Sequence, residues 1–294
     1  MIFLCLAALM LTGCTSAKTE EAAQQETDGK EENGEKKIQI GLTVDSFVIE
    51  RWIRDRDVFV ATARDLGAEV NVQDAGADAQ EQISQIDYFI KKHMDVIVII
   101  ARDCGALSEA VERAHSSGIR VISYDRMVND ANTDMYISFD NRMVGEIMAQ
   151  SMEEAIPDGG KIFMIQGSAT DNNVAMVKEG FEDTLQGSNL QVVYEANCEG
   201  WTAELAVDYV EEALEEYPDV KGIFATNETV ADLVVNVLDS MDKTTGEDRI
   251  KVVSFDGGED QMKLLEDGKI DGLIVQNPYG IGYATVVACA RAVL

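Results

Sequence analysis

From residue 38 onward, short apolar runs alternate with amphipathic stretches almost without a break. Ile38–Val44, Ala68–Gln73, Val96–Ile100 and Arg120–Tyr124 are short and rich in β-branched residues, which predicts strands. Between them lie Ile49–Leu66, Ala79–Lys92 and Leu107–Ser117, which predict helices. Ile83, Ile86, Phe89 and Ile90 recur at helical spacing, and Gly67 and Gly118 stand where the first and third helices end. Val96–Ile100 contains no polar residue, as a parallel strand covered on both faces requires.

A second series repeats this rhythm. Strands are expected at Lys161–Gln166, Gln191–Ala196, Gly222–Thr226, Lys251–Phe255 and Gly272–Gln276. Helices are expected at Asn141–Ala155, Asn173–Leu185, Thr202–Tyr217, Val230–Met241, Asp260–Glu266 and Tyr279–Ala292. Two successive βα series predict an α/β chain of two doubly wound parallel-sheet lobes.

The first 37 residues break the pattern. Met1 to Leu11 are nearly all apolar but too few to span a bilayer, and they run into Leu11-Thr12-Gly13-Cys14. That tetrapeptide resembles a bacterial lipobox, so residues 1–13 read as a lipoprotein signal peptide and Cys14 as the acylated residue. A signal peptide ordinarily opens with Lys or Arg, and none precedes this apolar run, which points to a start upstream. Residues 14–37 are rich in Glu, Gln, Lys, Thr and Ala with no apolar periodicity, and read as a flexible tether. Together they predict a globular body held at the outer face of a membrane.

Composition narrows the function classes. The chain has 294 residues, enough for two ordinary domains, and 46% are hydrophobic, as in a globular protein. Its 54 acidic and 24 basic residues give a formal charge of −30, which argues against nucleic acid because phosphate binding needs a basic surface. Such acidity suits an exported, soluble monomer kept apart by self-repulsion. Past Cys14 the cysteines are Cys104, Cys198 and Cys289, too scattered for a metal site or disulfide framework, and expected to be buried or half-buried. His93 and His115 sit in charged, helical contexts and read as helix surface. No Gly-rich phosphate loop follows a strand, and neither GxSxG nor HExxH occurs. Asp239, Asp242 and Asp248 lack EF-hand spacing. No catalytic motif, metal site or cofactor is predicted.

Polar and aromatic residues gather instead at the strand ends. Asp125 and Arg126 lie just past Arg120–Tyr124, at the sheet edge where parallel α/β proteins bind ligands. Asp45, then Glu50-Arg51-Trp52, follow the first strand. Asp171-Asn172-Asn173, Trp201, Asn227, Asp256 and Asn277 follow strands of the second series. Taken singly, each has a plainer explanation: a surface salt bridge for Asp125 and Arg126, helix caps for Asn172 or Asn173 and Asn227, core packing for the two tryptophans. Taken together they supply planar hydrogen-bonding groups for paired hydroxyls and aromatic faces for the C–H surface of a sugar ring.

Three segments carry a family resemblance: Glu50-Arg51-Trp52 with the helix behind it, Tyr124-Asp125-Arg126-Met127, and Tyr136-Ile137-Ser138-Phe139-Asp140-Asn141. In that order they resemble bacterial D-xylose-binding proteins, solute receptors of sugar ABC transporters with the type I periplasmic-binding fold. The resemblance runs from about Ile38 to the end. It implies two lobes joined by a hinge, with residues 38–139 and 277–294 in lobe 1 and 140–276 in lobe 2. It implies that Arg51 and Arg126 donate to ring and hydroxyl oxygens, and that Asp171, Asn173, Asn227 and Asp256 bind the remaining hydroxyls. Trp52 and Trp201 would sandwich a pyranose. The family has Lys before the Pro of the last crossing, whereas this chain has Asn277-Pro278, and Phe255 to Pro278 looks closer to ribose receptors. Such receptors cross between lobes three times. Only two crossings are expected here, near Phe139–Asn141 and Val275–Asn277, which points to a chain that stops short.

The resemblance implies a monosaccharide receptor, with xylose the first choice and ribose the second, whose closed form meets an ABC permease. A membrane histidine kinase that senses the sugar is an equal fit to the residues themselves. A glycoside-cleaving enzyme would use the same acids differently. A DNA-binding regulator of this fold would need a headpiece where the lipobox stands.

Overall fold

The computed structural model describes residues 37–293. The signal peptide assigned to residues 1–13, the acylation site Cys14 and, apart from Lys37, the tether over 14–37 lie outside the described residues.

Two five-stranded parallel sheets are built in succession. The first uses β1 (Gln39–Val44), β2 (Glu69–Asp74), β3 (Val96–Ile99), β4 (Arg120–Tyr124) and β5 (Met135–Ile137), in the order β2-β1-β3-β4-β5. The second uses β6 (Gly160–Gln166), β7 (Leu190–Asn197), β8 (Gly222–Ala225), β9 (Lys251–Asp256) and β10 (Gly272–Val275), in the order β10-β9-β8-β6-β7. Every pairing in both is parallel. Each sheet therefore has the doubly wound order 2-1-3-4-5, and the strand order reverses between β1 and β3 and between β6 and β8. At such reversals the connections leave on opposite faces and open a crevice at the carboxyl ends.

The helices are α1 (Glu50–Asp65), α2 (Ala79–Lys91), α3 (Ser108–Ser116), α4 (Asn141–Ala155), α5 (Asn172–Thr184), α6 (Leu205–Glu216), α7 (Glu228–Ser240), α8 (Glu259–Glu266) and α9 (Pro278–Val293). They cover both faces of each sheet, so β3 and β8 are buried throughout whereas the edge strands β2 and β7 are only half-buried. The chain leaves the first sheet after Ile137 and returns after Val275. On its return α9 packs on α1 and the first sheet, placing Ile281, Val286 and Cys289 among Trp52, Phe59 and Tyr124.

The periodic pattern anticipates nearly all of this architecture. It does not anticipate β5 or the 3-10 turn Glu199–Trp201, since three residues are too few to display a period. His93 stands in the turn after α2 with φ 55°, not on the helix, while His115 does lie on α3 and pairs with Asp134 at 3.0 Å. Cys104, Cys198 and Cys289 are free and buried.

Helices α4 and α5 touch backbone to backbone. A Cβ on Gly145 would lie 2.0 Å from the Val177 carbonyl oxygen, and one on Gly180 2.0 Å from that of Arg142. Only glycine permits this approach, which sets how α4, the helix immediately after the first crossing, lies on the second lobe. Gly145→Ala is expected to force the helices apart and to cost about 1–3 kcal/mol in thermal or urea unfolding. An unchanged unfolding midpoint would mean that the helices slide without penalty.

Candidate functional site

The carboxyl ends of the two sheets face each other across a cavity with about 520 Å³ of empty volume, its mouth included. Lobe 1 contributes Arg51 and Trp52 from the first turn of α1, and Asp125 and Arg126 from the end of β4. Lobe 2 contributes Asp171 and Asn173 at the start of α5, Trp201 after β7, Asn227 before α7 and Asp256 at the end of β9. Residues far apart in sequence thus meet at one place because parallel strands all release their chain at the same edge.

Several of these residues have two roles. Asn227 caps α7, accepting from the Val230 N–H at 3.1 Å, and Asp171 caps α5, accepting from the Asn173 N–H at 2.9 Å. The cap explanation and the cavity explanation are both correct, because a helix that starts beside the crevice puts its N-cap in the wall. Asp125 and Asp256 are left-handed, with φ 62° and 91°. Non-glycine residues are strained there, and the strain sits at matching strand ends of the two lobes.

Two expected residues do not line the cavity. Asp45 is fully buried behind it, accepting from Arg126 Nη1 at 2.7 Å and Arg102 Nη1 at 3.3 Å, so it fixes an arginine from the rear. Asn277 is exposed and caps α9, accepting from the N–H groups of Tyr279 and Gly280 at 3.1 and 3.2 Å. Its neighbour Gln276 occupies the wall instead and accepts from Arg51 Nη1 at 2.8 Å. Sequence reasoning also missed Gln166, Asn141 and Thr226, and an apolar floor of Phe224, Phe255, Val174 and Val177. Gln166, Thr226 and Gln276 carry the signal that found the others, a polar residue at a strand end. Nothing in the sequence marks the floor.

Both arginines are buried and multiply paired. Arg51 approaches Asp125 at 3.0 Å, Asp55 at 3.4 Å and, across the lobes, Asp256 at 3.7 Å. Arg126 pairs with Asp45 and, across the lobes, with Asp171 at 2.6 Å. Burial lowers the proton affinity of both guanidiniums, but the surrounding carboxylates outweigh it and hold both firmly charged. Burial drives the Asp171 and Asp55 carboxyls above their ordinary range, against the pull of Arg126 and Arg51 respectively. Asp256 is pushed up to about 7, again chiefly by burial, with Arg51 opposing and Glu228 and Asp125 adding. Tyr124 donates to Asp55, and burial first and that carboxylate second raise its own proton affinity.

The Arg126 guanidinium carbon lies 5.3 Å from the Trp52 ring centre and 5.1 Å from that of Trp201, so both indoles engage an arginine. Trp201 belongs to lobe 2 yet packs on the lobe 1 core. Gly167 makes its position possible, since a Cβ there would lie 2.4 Å from the indole edge. Further contacts hold the lobes together: Asn173 Nδ2 donates to the Asp125 carbonyl at 3.1 Å, Met127 N–H to Asn172 Oδ1 at 3.0 Å, and Arg102 to the Gly200 carbonyl at 3.0 Å.

Five buried or partly buried aspartates, 45, 55, 125, 171 and 256, thus surround Arg51, Arg126 and Arg102. Excess carboxylate repels an anion and leaves polar atoms for a neutral, hydroxyl-rich molecule. Among the described residues, the buried atoms without a hydrogen-bond partner include the indole nitrogens of Trp52 and Trp201 and Oδ1 of Asp256. Among the described residues, no His, Cys, Lys or Ser lines the cavity.

Comparison with known proteins follows the same line. The sequence profile of the periplasmic binding protein domain matches residues 40–294. The chain is 36% identical over 235 residues to the D-xylose-binding periplasmic protein of Escherichia coli, covering 78% of this chain and 68% of that one. It is 38% identical over 208 residues to the protein of the same name from Haemophilus influenzae, covering 69% and 62%. The chain therefore spans about two thirds of the length of these relatives. Among solved structures it is similar to an ABC transporter solute binding protein from Mycobacterium smegmatis with bound glycerol, with a TM-score of 0.81 and 25% identity over 88% of each chain.

Proposed function

This chain belongs to the periplasmic binding protein family, a solute-binding protein rather than an enzyme, and from that premise we propose that it is an extracytoplasmic receptor for a monosaccharide, D-xylose first among them. The observation that carries the reading is the inter-lobe cavity itself. It joins firmly charged arginines, an excess of carboxylates and two indoles, the donor, acceptor and ring-face set that a neutral sugar needs. Arg51 and Arg126 donate to sugar oxygens, while Asp171, Asn173, Asn227 and Asp256 take up the hydroxyls that face lobe 2. Gln276 replaces the expected Asn277 in this set. Trp52 and Trp201 meet the C–H faces of the ring.

Sugar seated on one lobe offers its free hydroxyls to the other, so closure is favoured by contacts that exist only when closed. Each buried hydrogen bond to a charged group contributes about 1.5–3 kcal/mol. Several such bonds, set against the cost of ordering two lobes, give an affinity of roughly micromolar, about −8 kcal/mol. The closed form then meets an ABC permease in the membrane, and acylated Cys14 keeps the monomeric receptor beside it.

A thermal-shift series over xylose, ribose, arabinose, galactose and glucose tests the reading. At a hundredfold excess over Kd a ligand stabilises by about 2.7 kcal/mol. At about 2–4 °C per kcal/mol for a body of this size, D-xylose should raise the melting point by about 5–10 °C. Trp52 and Trp201 should report the same binding by fluorescence. A flat response to every sugar would sink the reading.

A further inference from the structure

Among the described residues, one ion pair outside the cavity joins the lobes. Arg54 on α1 sends Nη2 to both carboxylate oxygens of Glu228, at 3.1 and 3.0 Å, and Glu228 is the first residue of α7 in lobe 2. The Glu228 side chain is only 5% exposed, whereas that of Arg54 is 34% exposed. Gly258, at the turn before α8, makes room for the pair: a Cβ there would lie 2.3 Å from Glu228 Oε2. Glu50, the other acid near Arg54, is 3.9 Å away and 71% exposed, a weak competitor.

Position in the sequence links this pair to the cavity on both sides. Arg54 stands three residues after Arg51, so one helix presents Arg51 to the cavity and Arg54 to lobe 2. Glu228 directly follows the cavity residue Asn227. Neither Arg54 nor Glu228 lines the cavity, so the pair needs no ligand to form.

We infer that Arg54 and Glu228 form a ligand-independent clasp between the lobes, and that Arg54 is a positioning residue which sets how long the closed form lasts. Closing the lobes buries Glu228, and a buried carboxylate is tolerated only with its partner in place. Arg54 supplies that partner from the opposite lobe. Losing one member of a buried, hydrogen-bonded charge pair acts mainly on dissociation, whereas association proceeds through the open form, which the loss of Arg54 does not deplete.

The inference rests on the sugar-receptor reading, and its test separates the two. In stopped-flow fluorescence with D-xylose, Arg54→Ala is expected to raise koff roughly tenfold, with no loss in kon because the open, binding-competent population can only grow. Glu228→Gln should have a smaller effect, because it leaves an arginine that is already partly hydrated. The double variant Arg54→Ala/Glu228→Gln should recover much of the loss, since no buried charge is then left alone. In sugar-free solution, small-angle scattering should show Arg54→Ala more open than the wild type. Unchanged koff in a folded Arg54→Ala, or a double variant as impaired as the single one, would overturn the clasp. If no sugar binds the wild type, the receptor reading fails by itself. Scattering then judges the clasp alone, and identical profiles for wild type and Arg54→Ala would overturn it.

Discussion

Replacing Arg126 with alanine is expected to lower both stability and sugar affinity more than any other single change at the site. The Arg126 side chain is 2% exposed and holds together three groups: Asp45 at 2.7 Å in lobe 1, Asp171 at 2.6 Å in lobe 2, and the Ala101 carbonyl at 3.1 Å. Without it, Asp171 keeps only its cap bond from the Asn173 N–H, and Asp45 keeps the more distant Arg102. Stranding a buried carboxylate by removing its cation costs about 3–5 kcal/mol. At about 2–4 °C per kcal/mol the melting point should fall by roughly 6–20 °C. Affinity for D-xylose, measured by calorimetry well below that temperature, should fall at least a hundredfold, because the same loss removes a sugar donor and an inter-lobe tie at once. Arg126→Lys keeps the charge but not the planar fork, so it should fall between the two. A folded Arg126→Ala with unchanged melting point and affinity would mean that the three groups do not meet as described.

That arginine was legible in the sequence, and the reason is instructive. A β-branched run followed at once by Asp125-Arg126 fixes where the pair lies in any parallel sheet, so local pattern and global position coincide. Of the paired tryptophans, Trp201 was legible from its place shortly after a strand and Trp52 from its place in the helix start that follows one. What their rings touch was not, because an arginine at 5.1 and 5.3 Å is a tertiary fact.

The errors have equally local causes. Asn277 precedes Pro278, and Asn before a first-turn proline is a helix-start signal as much as a ligand signal. The cap prevailed, and the side chain one residue earlier took the place in the wall. Asp45 and Asp256 look alike in sequence, each the acid at a strand end, yet one backs an arginine and the other faces the cavity. Which role falls to which depends on how far each strand runs before the chain turns. Arg54 was passed over because its meaning lies wholly in lobe 2, and no periodicity within α1 announces a partner on α7.

The protein without sugar should lose stability as pH rises from about 4 to about 7, and Asp256→Asn should remove much of that loss. Asp256 is 6% exposed at the end of β9, with Arg51 of α1 3.7 Å from Oδ1. Three further acids act on it: Glu228 at the start of α7, Asp125 beyond β4 and Asp55 on α1. Arg54 offsets the first of these, and Arg51 is shared with the other two. Burial therefore prevails over the single cation, and the carboxyl is pushed up to about 7 from an ordinary 3.8. That gap corresponds to about 4 kcal/mol between the two protonation states. A carboxyl whose folded value exceeds its unfolded value binds protons more tightly when folded. Its contribution is intact below about pH 4 and is lost as pH rises through 7. Asp55 and Asp171 are raised as well and act in the same direction, as does the repulsion of a chain at −30. Asparagine keeps the shape without the titration, so the melting points of wild type and variant should coincide near pH 4 and diverge in the variant's favour up to about pH 7, with a constant gap above it. Saturating D-xylose should flatten the wild-type slope, because hydroxyls donating to Asp256 stabilise its ionised form in the role Arg51 cannot fill alone. Parallel pH curves for wild type and Asp256→Asn would show that this carboxyl is already ionised in the folded protein and that the cavity is wetter than its burial indicates.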